Sequence, residues 1–371
     1  MTKIKILLLN SLYIYGGGEY FTFSLAKYLN NNKYDVYVSC PPDTILEKKC
    51  IEENIPLFCL NYPLSGKSKV VSIANKLKNF IKENKIDIVH SNTNFDRTAG
   101  AFATIGTKAV HTASIHSFYS IRRNLTHLIR NKYYVKHFIA SGDSIKKLLV
   151  EKDKIPSERI TSIRLGIDTY DFNNNNVFRK KVRERYGLKD NELVIGNVGR
   201  LVKFKGQEKL IKAFSEINKK YPDTKLIITG DGELKKNLAE LCAELSVQDK
   251  VIFTGFQEKL NEIYPAFDIY VHPSLKGHEE LFPFAVLNAL AACLPVIASD
   301  TGELKQMVKN NVNGYLLETG SPELISEKLD ILINDKEKRK KFGQEGLELV
   351  NEKFTLEKMG QKVTGIYKKI I

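Results

Sequence analysis

The 371-residue sequence has no apolar run long enough to cross a bilayer. Its longest runs, such as Ile4 to Leu9 broken by Lys5, are strand-sized, far short of the roughly 20 residues a spanning helix needs. After Met1-Thr2-Lys3 it also lacks the long apolar stretch and small-residue cleavage site of a secretory signal, so a cytoplasmic protein is expected. Cysteine is scarce and scattered. Cys40, Cys50, Cys59, Cys242 and Cys293 are odd in number and form no Cys-x-x-Cys pair, which argues against a zinc ribbon and reads as reduced packing residues. There is no short repeat, coiled coil or low-complexity tract. Nor is there a Gly-x-Gly-x-x-Gly fingerprint, a P-loop Lys-Ser/Thr pair, a zinc finger, an RNA-binding aromatic motif or a dense arginine run, so nucleic acid is not an expected partner.

The chain does contain enough apolar sequence, 43%, to bury two cores, and its length exceeds what one core usually serves. Short β-prone runs alternate with helical-period segments, the α/β pattern of parallel sheets covered by helices. The first half offers strands at Ile4 to Leu9, Asp35 to Ser39, Ile86 to Val89, Ala109 to Ile115 and His137 to Ala140. Periodicity then fails from Leu165-Gly166-Ile167-Asp168 to the asparagine run 173–176, which reads as a linker. A second alternation follows, with strands at Leu193 to Val198, Lys225 to Thr229, Val251 to Thr254, Ile269 to Val271, Pro295 to Ala298 and Gly314 to Leu317. The net charge of +14 is uneven: 25 Lys and Arg face 14 Asp and Glu through position 170, and 32 face 29 thereafter. A basic first half reads either as a field for anionic partners or as the solvated surface of a lysine-rich chain.

Ligands of open parallel sheets bind beyond the carboxyl ends of the strands, so residues just after each strand are the candidates for chemistry. After the first strand, Tyr15-Gly16-Gly17-Gly18-Glu19 precedes a helical pattern; bare amides there suit a phosphate or charged acceptor group, and an ordinary tight turn suits them equally. His90-Ser91-Asn92 and His116-Ser117 follow the third and fourth strands, and His116 stands out by its strand-end position. In the second half Gly199-Arg200 ends a strand and Lys205-Gly206 opens a helix, placing two cations where a diphosphate would need them. Gly230-Asp231-Gly232-Glu233 reads as a ligand wall or a plain turn. Pro273-Ser274 and Glu279-Glu280-Leu281-Phe282-Pro283 precede a helix from Phe284 to Ala292, where a carboxylate can cap amides or bind sugar hydroxyls.

Taken in order, these motifs and the Leu294-Pro295-Val296 strand resemble, over nearly the whole length, the retaining glycosyltransferases of the GT-B fold whose signature is Glu, seven residues, Glu (glycosyl transferases group 1, family 4-like). The resemblance implies two facing Rossmann-like domains with an interdomain cleft: an acceptor-binding domain at 1–170, a nucleotide-sugar domain at 171–355, and a last helix, 356–371, crossing back to the first domain. It implies that Arg200 and Lys205 hold the donor diphosphate and stabilise the leaving group without a metal. By the same resemblance Glu280 matches the first signature glutamate and is expected to contact the donor sugar, with Leu281, Phe282 and Pro283 beside it. His116 matches the family's active-site histidine; Gly16, Gly17 and Gly18 match the loop expected to near phosphates and acceptor, and Gly230 is expected in the donor wall. The second signature glutamate is replaced by Asn288, which weakens or rearranges the expected grip on the ribose. Retention of anomeric configuration comes from the resemblance alone.

The expected reaction is transfer of a hexose from a UDP- or GDP-sugar, without a cofactor, to a glycan or lipid-linked acceptor in surface polysaccharide or glycoconjugate synthesis. The apolar and basic segment Ile121 to Tyr134 reads either as a peripheral contact with an anionic membrane or as an amphipathic helix packed on its domain. Asn288 alone favours a different class, a noncatalytic nucleotide-sugar-binding partner. Epimerases and phosphorylases sharing the fold stay open, since fold does not fix reaction.

Overall fold

A computed structural model describes residues 3–63, 69–121, 124–172, 175–275, 280, 283–318 and 320–371. The chain forms two compact units. Unit 1 comprises Met1–Gly166 and Leu356–Ile371; unit 2 comprises Ile167–Thr355.

Unit 1 is built on β1 (Lys5–Leu9), β2 (Asp35–Ser39), β3 (Ile88–Ser91), β4 (Val110–Ile115), β5 (His137–Ala140) and β6 (Ile160–Ser162). Every pairing is parallel and the order is β2-β1-β3-β4-β5-β6. Because β1 is flanked by β2 on one side and β3 on the other, the connections diverge at the carboxyl ends of β1 and β3, leaving a crevice there. Leu7, Leu9 and Val89 pack with Ile73, Leu77 and Ile81 of the helix Val70–Asn84, which repeats its apolar residues at helical spacing. The closing helix Leu356–Ile370 buries Met359, Val363 and Tyr367 and packs on the helix Gly17–Asn31. Gly360 permits that approach: an added Cβ would lie 2.2 Å from the Tyr28 ring.

Unit 2 carries β7 (Leu193–Val198), β8 (Thr224–Thr229), β9 (Val251–Gly255), β10 (Ile269–His272), β11 (Val296–Ser299) and β12 (Gly314–Leu317). Its sheet is parallel with order β12-β11-β10-β7-β8-β9. The order reverses between β7 and β10, so the segments leaving those two strands, Gly199-Arg200 and Pro273-Ser274, flank the switch point.

The expected α/β class with two parallel, Rossmann-like sheets is what the chain adopts. All eleven strands read from the sequence are present, with ends displaced by at most two residues. β6 was not anticipated, because three residues show too little alternation to stand out. One displacement matters chemically: β3 runs to Ser91, so His90 and Ser91 lie inside the strand and not beyond it. His90 is a core residue, its Nδ1 2.5 Å from the Tyr367 hydroxyl and its Nε2 2.7 Å from Ser114 Oγ.

Candidate active site

In unit 2 the polar residues gather around one carboxylate oxygen. Glu280 Oε1 accepts from Lys205 Nζ at 2.5 Å, Ser274 Oγ at 2.6 Å and His272 Nε2 at 3.2 Å. Each donor comes from a strand end: Lys205 from the 3-10 turn Lys203–Lys205 after β7, His272 from the last position of β10, and Ser274 two residues later. Burial by itself would raise the Glu280 carboxyl, but the His272 hydrogen bond and the Lys205 ammonium outweigh it and hold the group well below the usual carboxylate range. Burial also lowers His272, so it is neutral near pH 7. A neutral ring that donates from Nε2 presents Nδ1 as acceptor, and the Tyr270 hydroxyl lies 3.3 Å from it.

The backbone around Glu280 is fitted closely. Gly302 has φ +57° and Glu303 N donates to the Glu280 carbonyl at 2.9 Å; a Cβ on Gly302 would come within 2.0 Å of that carbonyl oxygen. Gly206, at φ +70°, similarly opens the helix Gln207–Lys220 against the Pro273 carbonyl. Gly230 and Gly232, at φ +137° and +159°, let the turn after β8 lie on the backbone of Gly199 and Leu201, where a Cβ on either would clash at 2.0 and 2.5 Å. This accounts for both glycines by packing. Arg200 is exposed, and its guanidinium and the Lys205 ammonium sit 5.9 and 5.5 Å from the Phe204 ring centre. Pro283 precedes the helix Phe284–Ala291, which carries Asn288 as a buried residue. Leu281 and Phe282 lie outside the described residues.

In unit 1 a pocket of about 290 Å³ opens at the divergence of β1 and β3. Its polar wall includes Glu19, Asn92, Thr93, Arg97, His116 and Ser117. Gly16 caps the helix Gly17–Asn31, with Glu19 Oε2 accepting from Gly16 N at 2.9 Å. A Cβ on Gly18 would lie 3.7 Å from the His116 ring, and one on Gly17 would meet nothing. His116 packs against Phe21 at 4.7 Å between ring centres, and its Nε2 lies 3.3 Å from Asn92 Oδ1. Burial first, then the Arg97 charge, lowers it to about 4, so its ring is neutral near pH 7.

Two family models account for most of the sequence: Glycosyltransferase Family 4 matches residues 15–171 and Glycosyl transferases group 1 matches residues 178–348. The chain is a GT-B protein related to both glycosyltransferase families. An uncharacterised glycosyltransferase of Haemophilus influenzae is 28% identical across 99% of this chain and all of its own length. A UDP-Gal:alpha-D-GlcNAc-diphosphoundecaprenol alpha-1,3-galactosyltransferase of Escherichia coli is 26% identical over 85% of this chain and 84% of its own. Among solved structures, Anabaena HepE in complex with UDP-glucose superimposes with a TM-score of 0.83 at 22% identity, covering 99% of this chain and 100% of its own.

In the present chain, Arg200, Lys205 and Glu280 stand at the unit 2 switch point, and Lys205 and Glu280, expected to serve different parts of the donor, form one ion pair. Gly16 to Gly18 and His116 meet in the unit 1 pocket. Arg130, counted from sequence among the basic residues of a surface segment, is buried with Asn131. The segment is helical only over Leu125–Ile129 before a π turn at Arg130–Tyr134. Arg122 and Arg123 lie outside the described residues. Among the described residues no cluster of three His, Cys, Asp or Glu side chains suits a metal ion, and no helix is long and apolar enough to cross a membrane. Sequence reasoning missed His272, whose signal was its place immediately before Pro273-Ser274. It also missed Arg97, which follows Asp96 in the first turn of the helix Asn94–Thr104.

Proposed function

We propose that this chain transfers a hexose from a UDP- or GDP-sugar to a glycan or lipid-linked acceptor, with retention of configuration and without a metal, in surface polysaccharide or glycoconjugate synthesis. Unit 2 takes the donor and unit 1 the acceptor. The observation that carries this reading is the ionised, buried Glu280 carboxylate: three donors fix Oε1, while Oε2 receives no hydrogen bond from the described residues and offers a sugar hydroxyl a charged acceptor. Lys205 has two further N–H donors for a phosphate oxygen, and Arg200 adds a forked, permanently charged group beside it. Together they stabilise the negative charge that develops on the leaving diphosphate. The neutral His116 ring of unit 1 supplies a hydrogen bond to a sugar hydroxyl. Attack from the leaving-group face, with the departing phosphate accepting the acceptor proton, gives retention; an inverted product anomer, seen by proton NMR, overturns that part.

The E. coli relative's name includes a lipid-diphosphate acceptor and HepE holds UDP-glucose, so UDP-sugars and lipid phosphates are the first substrates to try. The test is nucleotide release from UDP-, GDP- and ADP-sugars, with and without acceptors, in the presence of a chelator. Acceptor-stimulated release that Glu280→Ala abolishes supports the transferase. The replacement of the second signature glutamate by Asn288 favours a second reading, a noncatalytic nucleotide-sugar-binding partner, and donor binding without release under every condition would establish it.

A further inference from the structure

Two side chains of the unit 1 pocket, Asn92 and His116, have hydrogen bonds whose direction is fixed. Asn92 directly follows β3, and Leu9, the last residue of β1, lies beside the end of that strand. The Leu9 carbonyl can only accept. Asn92 is 7% exposed, and its Nδ2 donates to that carbonyl at 3.0 Å. Turning the amide over would set oxygen against oxygen, so Oδ1 is the atom that faces His116 Nε2 at 3.3 Å. An amide oxygen attracts only an N–H there, which places a ring proton on Nε2.

The His116 ring is neutral near pH 7, so this is its one N–H and Nδ1 keeps a lone pair. Among the described residues Nδ1 has no hydrogen-bond partner, and it is not sealed in the core. Turning the ring over would put Cε1 against Asn92 Oδ1 and lose the bond, and the Phe21 ring, 4.7 Å away between centres, holds the imidazole plane. The core histidines of the same unit differ. His90 bonds Tyr367 and Ser114, and His111 bonds Ser91 and the Tyr134 carbonyl, through both nitrogens. His116 has one nitrogen committed to the fold and one left for a ligand.

We propose that Asn92 is a positioning residue that holds His116 as its Nε2–H tautomer, so that Nδ1 selects a sugar group that donates a hydrogen bond. A hydroxyl or an amide N–H satisfies it. A group that only accepts, such as the carboxylate of a uronic acid, would set lone pair against lone pair. Calling the ligand a sugar rests on the transferase reading; the tautomer does not.

The experiment labels the histidines of the full chain with nitrogen-15, since protonated and unprotonated ring nitrogens resonate far apart. His116 is assigned by the signals lost in His116→Gln. At pH 7 the proton is expected on Nε2, and a proton on Nδ1 overturns the proposal. In Asn92→Leu it should move to Nδ1, where pocket water accepts it; an unchanged tautomer also overturns the proposal. If circular dichroism shows that variant unfolded, Asn92→Asp, which retains an acceptor, should keep Nε2 protonated, and a proton on Nδ1 alone is the contrary result. Titration then uses the UDP- and GDP-sugars of the release assay and octyl glucoside as an acceptor analogue. Whichever titrant shifts the Nδ1 resonance saturably assigns the hydroxyl to donor or acceptor, and a resonance that none of them moves overturns the selection. For that titrant each sugar hydroxyl is replaced in turn by hydrogen and by fluorine. At the hydroxyl whose removal abolishes the shift, both replacements should weaken binding alike, by about tenfold, because fluorine cannot donate. A fluoro analogue that binds like the parent would show the ring donating, against the proposal. Saturable sugar binding at His116 without transfer to any acceptor would remove the transferase reading and leave the tautomer standing. Sugar transfer by a chain whose His116 proton sits on Nδ1 would do the reverse.

Discussion

Replacing Lys205 by methionine would leave the Glu280 carboxylate buried beside two neutral donors. The side chains of the pair are 15% and 10% exposed, so it belongs with buried ion pairs, where removing one partner costs about 3–5 kcal/mol. Ser274 and His272 continue to donate to Oε1, which places the expected loss at the lower end, about 3 kcal/mol. In a domain the size of unit 2, each kcal/mol moves the melting temperature by about 2–4 °C, so its transition should fall by about 6–12 °C. Lys205→Met with Glu280→Leu removes both charges and keeps similar volume, and should recover to within about 1 kcal/mol of the parent. The assay is thermal unfolding without ligand, read by hydrogen exchange in β7 so that unit 2 is followed alone. The penalty also has a pH signature. Glu280 titrates below its ordinary 4.5 in the folded protein, so its contribution is complete above that value and is lost as pH falls below it; the single variant should approach the parent in acid. A drop under about 2 °C at pH 7, or a double variant no better than the single, would refute the placement of this pair at the energetic centre of the site.

Four further outcomes are expected. His90 and His111, lowered to about 3, and His116, lowered to about 4, are neutral in the fold and protonate more readily when unfolded. Unit 1 should therefore lose stability as pH falls from about 6.5 towards 3, and His90→Gln should flatten that limb in a urea titration across pH. Gly302→Ala, which forces a Cβ against the Glu280 carbonyl at positive φ, should cost about 2–3 kcal/mol and depress nucleotide release more than binding. Asn288→Glu should tighten nucleotide binding in calorimetry while lowering ligand-free stability by about 1–3 kcal/mol; unchanged affinity would show that this position does not reach the ribose. Liposomes of anionic lipid test the membrane reading of residues 121–134: with Arg130 turned inward, retention at low salt should depend on Lys132, and its loss in Lys132→Gln is the check.

Much of the architecture was legible because each strand in a parallel sheet is apolar on both faces and ends at a polar or glycine-rich turn. Gly199-Arg200, Lys205 and Glu280 were found from that punctuation. What escaped was the relation between them. Nothing in the spacing of Lys205 and Glu280 says that they touch, since the contact depends on β7 and β10 being neighbours across a strand-order reversal. His90 was misplaced for a local reason: polar residues inside β3 look like a strand end, and only the packing of Tyr367, 277 positions away, shows why a histidine is tolerated there. Arg97 and Arg130 were hidden because lysines and arginines crowd this half of the chain, and sequence alone does not separate buried ones such as these from those in solvent.

The helix Leu356–Ile370 has a consequence for how the protein is made. On the ribosome, residues 1–166 emerge first, yet they lack the Tyr367 partner of His90 and the contacts of Met359 and Val363 until 189 residues of unit 2 have followed. Unit 1 must wait with its Tyr28 face uncovered, while unit 2 contains every strand of its own sheet by the time Thr355 is added. Maturation should therefore run against the order of synthesis, the later unit closing before the earlier one. Deleting residues at the far end of the chain would then damage the sheet that was translated first.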